Sequence, residues 1–212
     1  MKLPEIIPLF PLPNVVLFPG MPLPLHVFEP RYRAMVRDAL RGAHLVGMVL
    51  LKGDWQAEYH ARPQVFSVGT VGEVVHVDEL PDGRFNIVLR GLREFHIHRE
   101  LARAPYREAV VSWRGTTGTA LAPGLRGRIR ALVDGYLAQV GRTPADGLRD
   151  GGVDDETFVN FLAQHLDIEP LERQALLEAA DLGQRGRCLV DVLEFRLREL
   201  RSHPQGSPGR GN

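Results

Sequence analysis

Residues 9–32 read LFPLPNVVLFPGMPLPLHVFEPRY, an apolar run broken by six prolines and one glycine. No helix tolerates that spacing. Each proline removes a backbone donor and holds the residue before it in extended geometry, so the run predicts short strands with Pro11, Pro13, Pro19, Pro22 and Pro24 as joints. Val15–Phe18 and Leu25–Phe28 are the two candidate strands, β-branched and aromatic in character, with Pro19-Gly20 turning between them. Glu29-Pro30-Arg31-Tyr32 then changes the pattern. Pro30 suits a first helical position, and residues 32–40 behind it carry helical spacing, which predicts a helix around 30–41.

Working outward, Pro81-Asp82-Gly83 predicts a hairpin turn between strands near 71–80 and 85–91. From Glu94 to Leu101 the residues alternate, which puts Phe95, Ile97 and Leu101 on one face and Glu94, His96, His98 and Glu100 on the other. After Trp113, Gly115–Thr119 reads as a hinge, and beyond residue 122 the apolar period becomes helical. Phe158, Phe161, Leu162 and His165 form one stripe, with Asp154, Asp155 and Glu156 at the helix end where negative charge is favoured. Leu189, Val192, Leu193, Leu197 and Leu200 form another. Residues 142–153 are expected to be a loop, and residues 202–212 a disordered tail with nothing apolar to bury.

Three ordered blocks carry a family resemblance: PLFPL with VLFPG and PLPLHVFEPRYRAMV, then Val68–Val74, then Leu80–Phe95. Together they resemble the N-terminal substrate-binding domain of the Lon family of ATP-dependent proteases, most strongly over residues 5–115. The resemblance implies a PUA-like, partly closed barrel, and the many short strands with one inserted helix suit a closed or pseudo-barrel better than a parallel α/β sheet. The expected fold is therefore α+β. A pseudo-barrel of mostly antiparallel strands occupies residues 1–115, and a bundle of three to four helices occupies residues 116–201.

Composition bounds the function. The chain of 212 residues has 26 acidic and 26 basic residues, so no net field draws it to nucleic acid or to a membrane. Cys188 stands alone, which excludes an internal disulfide and fits a reducing compartment. The N-terminal residues lack the apolar region of a signal peptide, and no stretch approaches the ~18 apolar residues of a spanning helix. A cytoplasmic location is the expectation.

Catalytic signals are weak. Lys2 and Lys52 are the only lysines, and neither lies in a phosphate-cradling G-x-x-x-x-G-K-[ST] loop. None of Ser67, Ser112, Ser202 and Ser207 sits in a G-x-S-x-G elbow. Lon proteolysis uses a serine and lysine pair and an ATPase module, and the 212 residues match neither, so no enzyme activity is expected. Glu94, His96, His98 and Glu100 invite a metal reading, but strand neighbours two apart stand roughly 7 Å from each other. No metal and no cofactor is the expectation. His26 and His165 fall in apolar patterns, as core histidines do, and the arginines 126, 128 and 130 read as a solvated helix.

The resemblance implies recognition of unfolded or apolar polypeptide segments, with a protease or chaperone encoded elsewhere as the partner. An extended peptide can add to an open strand edge, or its side chains can enter pockets between strands. Phe18, Met21 and Leu23 at the Pro19-Gly20 bend are the candidate contacts, Met21 because its thioether adapts to varied partners. Core packing is the competing role for Phe18 and Leu23. Arg84 and Arg93 are the candidate polar contacts. Glu29 and Arg31 are expected to satisfy backbone groups at the strand-to-helix junction. A monomer or weak dimer is expected. The alternative, RNA binding by a PUA-like barrel, lacks the aromatic and basic cluster such binding uses.

Overall fold

A computed structural model describes residues 3–56, 62–101, 105–115, 120–142 and 152–202. The hinge residues 116–119, the loop residues 143–151 and the tail residues 203–212 lie outside the described residues. Six strands, β1 (Ile6–Leu12), β2 (Pro22–Val27), β3 (Leu45–Leu50), β4 (Val68–Glu79), β5 (Phe85–Leu101) and β6 (Arg107–Trp113), form one mixed sheet. Among the described residues five helices accompany them: α1 (Pro30–Arg41), α2 (Leu125–Gln139), α3 (Asp155–His165), α4 (Pro170–Glu178) and α5 (Leu182–Ser202). The fold class is α+β.

Two compact units divide the chain, and the division does not follow the sequence. One unit takes Met1–Thr116 together with Asn160–Glu178; the other takes Thr117–Val159 and Ala179–Asn212. The second half of α3 and all of α4 thus pack with the sheet.

Within the first unit the strand order is β2-β5-β4-β3-β1-β6, and β6 also pairs with β5, so the ladder from β5 to β6 returns to its start. Among the described residues only β1 and β3 run parallel. Ile7, Leu9, Leu45, Val49, Val71, Phe95, Ala109 and Val111 form a buried cluster. Glycine permits a close approach beside it: a Cβ on Gly69 would lie 2.3 Å from the carbonyl oxygen of Met48.

The prolines work differently from simple joints. Pro11, Pro22 and Pro24 lie inside strands, while Pro13 and Pro19 lie at bends. β1 pairs with β6 through Ile6–Leu9 and with β3 through Leu9–Leu12, so Pro8 and Pro11 each sit where one side of the strand has no partner. A proline needs no donor there. Val15–Phe18 forms no strand, contrary to the pattern reading, because it crosses the sheet at Gly72 and Gly91. A Cβ on Gly91 would meet the carbonyl of Phe18 at 2.2 Å.

α1 begins at Pro30 as its sequence predicts, and buries Tyr32, Met35, Val36 and Ala39. Each large apolar side chain so buried contributes about 1.5–3 kcal/mol. Glu29 makes no side-chain cap; its carboxylate instead holds Arg31 at 2.9 Å, and its backbone carbonyl accepts from Tyr32 and Arg33.

In the second unit α2 and α5 pack together, with Leu125 and Ile129 against Gly186. Asp154 caps α3 by accepting from the Thr157 N–H at 2.7 Å. Arg126 is not a solvated residue: it binds Asp155 at 2.6 Å and lies over the Phe158 ring.

Candidate binding groove on the sheet

The Phe18–Leu23 bend is filled by the protein itself. Phe18, Met21 and Leu23 are 0%, 4% and 9% exposed, so all three side chains take the core-packing role. Asn160 donates to the Pro19 carbonyl at 3.1 Å, and Gln164 accepts from the Phe18 N–H at 3.2 Å. The helix α3 thereby satisfies backbone groups that an exposed bend would have offered to a ligand.

The open surface lies nearby, where β2, β5 and β4 run side by side. A shallow groove of about 410 Å³ is lined by Pro24, Leu25, His26, His76, Asn86, Ile87 and Val88. Strand pairing explains the set: Pro24 stands opposite Val88, His26 opposite Asn86, and His76 opposite Val88. A register shift between Val74 and His76 leaves Val75 unpaired and 48% exposed beside the groove. Phe28, just past β2, is 60% exposed, with its ring stacked 6.1 Å from that of His26.

A directed chain of hydrogen bonds crosses this face. Arg84 has only donors, so His26 Nε2 accepts at 3.3 Å. The ring must then donate from Nδ1 to Asn86 Oδ1 at 2.7 Å, and Asn86 Nδ2 donates to Asp78 at 3.3 Å. Arg84 also holds Asp82 at 2.6 Å. The Arg84 backbone N–H, followed by its guanidinium, keeps the Asp82 carboxyl below its ordinary range. Sequence reasoning placed His26 in the core; it is an exposed groove residue.

Arg93 stands apart from this network. It is exposed and donates to the Arg114 carbonyl at 2.9 Å. His165 is likewise exposed, stacked on Phe161 with ring centroids 4.3 Å apart. Cys188 is half-buried.

The row Glu94, His96, His98 and Glu100 does not share one face. Ile97 pairs with Val111, while Glu100 pairs with Ala109, because His98 is an extra residue in the ladder. Glu100 therefore turns to the side of Ile97 and grips Arg107, and Leu101 turns the other way. Glu94 is held by Arg114 at 2.9 Å. The rings of His96 and His98 lie 5.8 Å apart. Among the described residues, no three of His, Cys, Asp and Glu are placed to hold an ion, and no helix is long and apolar enough to cross a membrane.

The groove belongs to a mixed six-stranded sheet whose relatives in structure are Lon N-terminal domains. A Lon N-terminal domain protein from Xanthomonas campestris superposes with a TM-score of 0.66 at 28% identity, covering 88% of this chain and 97% of that one. The N-terminal domain of the Mycobacterium avium complex Lon protease gives a TM-score of 0.67 at 16% identity, covering 90% and 98%, and shows the fold alone.

The chain belongs to the ATP-dependent protease La (LON) substrate-binding domain family, whose model matches residues 6–194. Among curated relatives, Lon protease of Cytophaga hutchinsonii is 26% identical and Lon protease 2 of Sorangium cellulosum 30% identical, matching 94% and 93% of this chain. The chain spans 25% of the length of each of them.

Proposed function

We propose that the protein is a non-catalytic polypeptide-binding module that takes unfolded or apolar segments in protein quality control. The observation that carries this reading is the groove on the β2–β5–β4 face in a chain matched to a substrate-binding domain over residues 6–194. Apolar lining with a few convergent polar groups suits side-chain capture. In this reading the closed strand pairings form a PUA-like pseudo-barrel and the later helices a bundle. Proteolysis and ATP hydrolysis are not part of the proposal; a protease or chaperone partner in the cytoplasm acts on what is bound, and the module works as a monomer or weak dimer.

Arg84 contributes through His26 at the groove, and Arg93 is a further exposed contact away from it. Phe18, Met21 and Leu23 support the surface from within. Fluorescence anisotropy tests the reading with a labelled unfolded apolar polypeptide and a short RNA, each at two salt concentrations. Polypeptide binding should be nearly independent of salt and weaken at least about tenfold, or 1.4 kcal/mol, in Val88→Glu. Steeply salt-dependent binding of RNA alone would refute it.

A further inference from the structure

We infer that the open edge of β2 accepts no added strand, and that a polypeptide held on this face is read through its side chains alone. The inference rests on the polypeptide-binding reading and specifies its mode. β2 begins the strand order, so among the described residues one of its edges has no partner strand. Along an antiparallel strand, successive residues turn their N–H and C=O together toward the partner or away from it. Gly91 donates to the Met21 carbonyl at 2.9 Å, which fixes the phase. Leu23, Leu25 and Val27 then face β5, opposite Leu89, Ile87 and Phe85.

Pro22, Pro24 and His26 therefore turn their backbones to the open edge. Two of the three have no N–H. An incoming strand would meet three carbonyls and a single donor, that of His26, and its own carbonyls opposite the prolines would go unpaired. Each lost pairing removes the main-chain bonds from which strand addition draws its affinity. Prolines at outward positions leave the β2–β5 ladder intact while blunting the edge.

Charge decides the occupant. The two arginines on this face are each paired, Arg84 with Asp82 at 2.6 Å and Arg90 with Glu73 at 2.7 Å. No surplus cation remains among them to draw a phosphate backbone or an acidic chain. Pro24 and Val88, with half-buried Leu25 beside them, offer apolar contact instead. The matching occupant is the uncharged apolar side chains of an unfolded polypeptide, entering from above the sheet. Such a mode is indifferent to the direction of the bound backbone and to prolines within it.

The test uses the full chain, isotopically labelled, with reduced and carbamidomethylated lactalbumin as a permanently unfolded probe. The expected result is movement of the Leu25 and Val88 methyl signals while His26 amide exchange changes by less than about twofold. Protection of that amide by about tenfold or more would mean an added strand, overturning the inference while leaving the polypeptide reading intact. Binding without movement of the groove signals would also overturn it. Absence of any binding would remove the polypeptide reading and this inference together. As a second measurement, an apolar peptide and its alternately N-methylated form should bind within about threefold of each other; a tenfold loss on methylation would overturn the inference.

Discussion

Asn160 reaches back 141 residues to donate through Nδ2 to the Pro19 carbonyl at 3.1 Å. Asn160 is fully buried, so the bond stands in a setting where an orphaned acceptor is expensive. Asn160→Ala should lower unfolding stability by about 1–3 kcal/mol, and Gln164→Ala, at a half-buried position, by about 1 kcal/mol. Urea titration followed by circular dichroism measures both. An Asn160→Ala midpoint equal to that of the parent would show that the bend is not held in this way.

Gly91 and Gly127 predict opposite signs for the same substitution. A Cβ at Gly91 would strike the Phe18 backbone, which cannot move aside as a flexible side chain could, whereas at Gly127, inside α2, nothing lies within 4 Å. Gly91→Ala should cost about 3 kcal/mol or prevent folding. Gly127→Ala should stabilise by up to about 1 kcal/mol, since alanine is the better helix former. Thermal melts of the two variants decide the matter, and a neutral Gly91→Ala would contradict the close approach.

Tyr106 gives a prediction at high pH. Burial, and then its hydrogen bond to Asp38 at 3.0 Å, pushes the phenol up to about 12. The folded state thus favours the protonated phenol more than the unfolded state does. Its contribution is fully present below pH 10, the ordinary phenol value, and is lost as pH rises through about 12. Tyr106→Phe should remove one tyrosine from the late-ionising part of an ultraviolet titration. An unchanged late amplitude in that variant would show that Tyr106 is not responsible.

At low pH the second unit should lose stability contributed by Asp155. The Leu121 N–H, bonded at 2.8 Å, and then the Arg126 guanidinium hold its carboxyl below the ordinary 3.8. A depressed folded value means stability that is present above the unfolded value and drains away as pH falls through the folded one. Asp155→Asn should therefore be less stable than the parent at pH 7, with the gap narrowing below about pH 4. Denaturant midpoints at pH 7 and pH 3 measure this. An unchanged gap would show that Asp155 acts by shape and not by charge.

Local signals explain what could be read from the chain. Pro30 announces α1, and Gly83, at φ 77°, announces the hairpin turn, because each acts on its immediate neighbours. The hydrogen bonds that hold Phe18 and Pro19 come from α3, whose residues come far later, so nothing adjacent to the bend reveals them. The extra residue at His98 was equally hidden. Alternation assumes an unbroken ladder, and one inserted residue sent Glu100 to Arg107. His26 looked apolar by its company in sequence, yet its register opposite Asn86 makes it a groove residue. Legible prolines were misjudged in role: they mark where a strand lacks a partner more often than where it ends.

β1 leaves the ribosome before every strand it will need. Its two flanks are completed by Leu45–Leu50, after the first helix, and by Arg107–Trp113, about a hundred residues downstream, where Ile6 meets Val110. Until then a nascent Ile-Ile-Pro-Leu-Phe-Pro-Leu segment travels with both sides open. The two prolines that fit the finished ladder also make this waiting segment a poor template for pairing with another nascent chain. The same residues that shape the mature sheet thus guard the polypeptide during its synthesis.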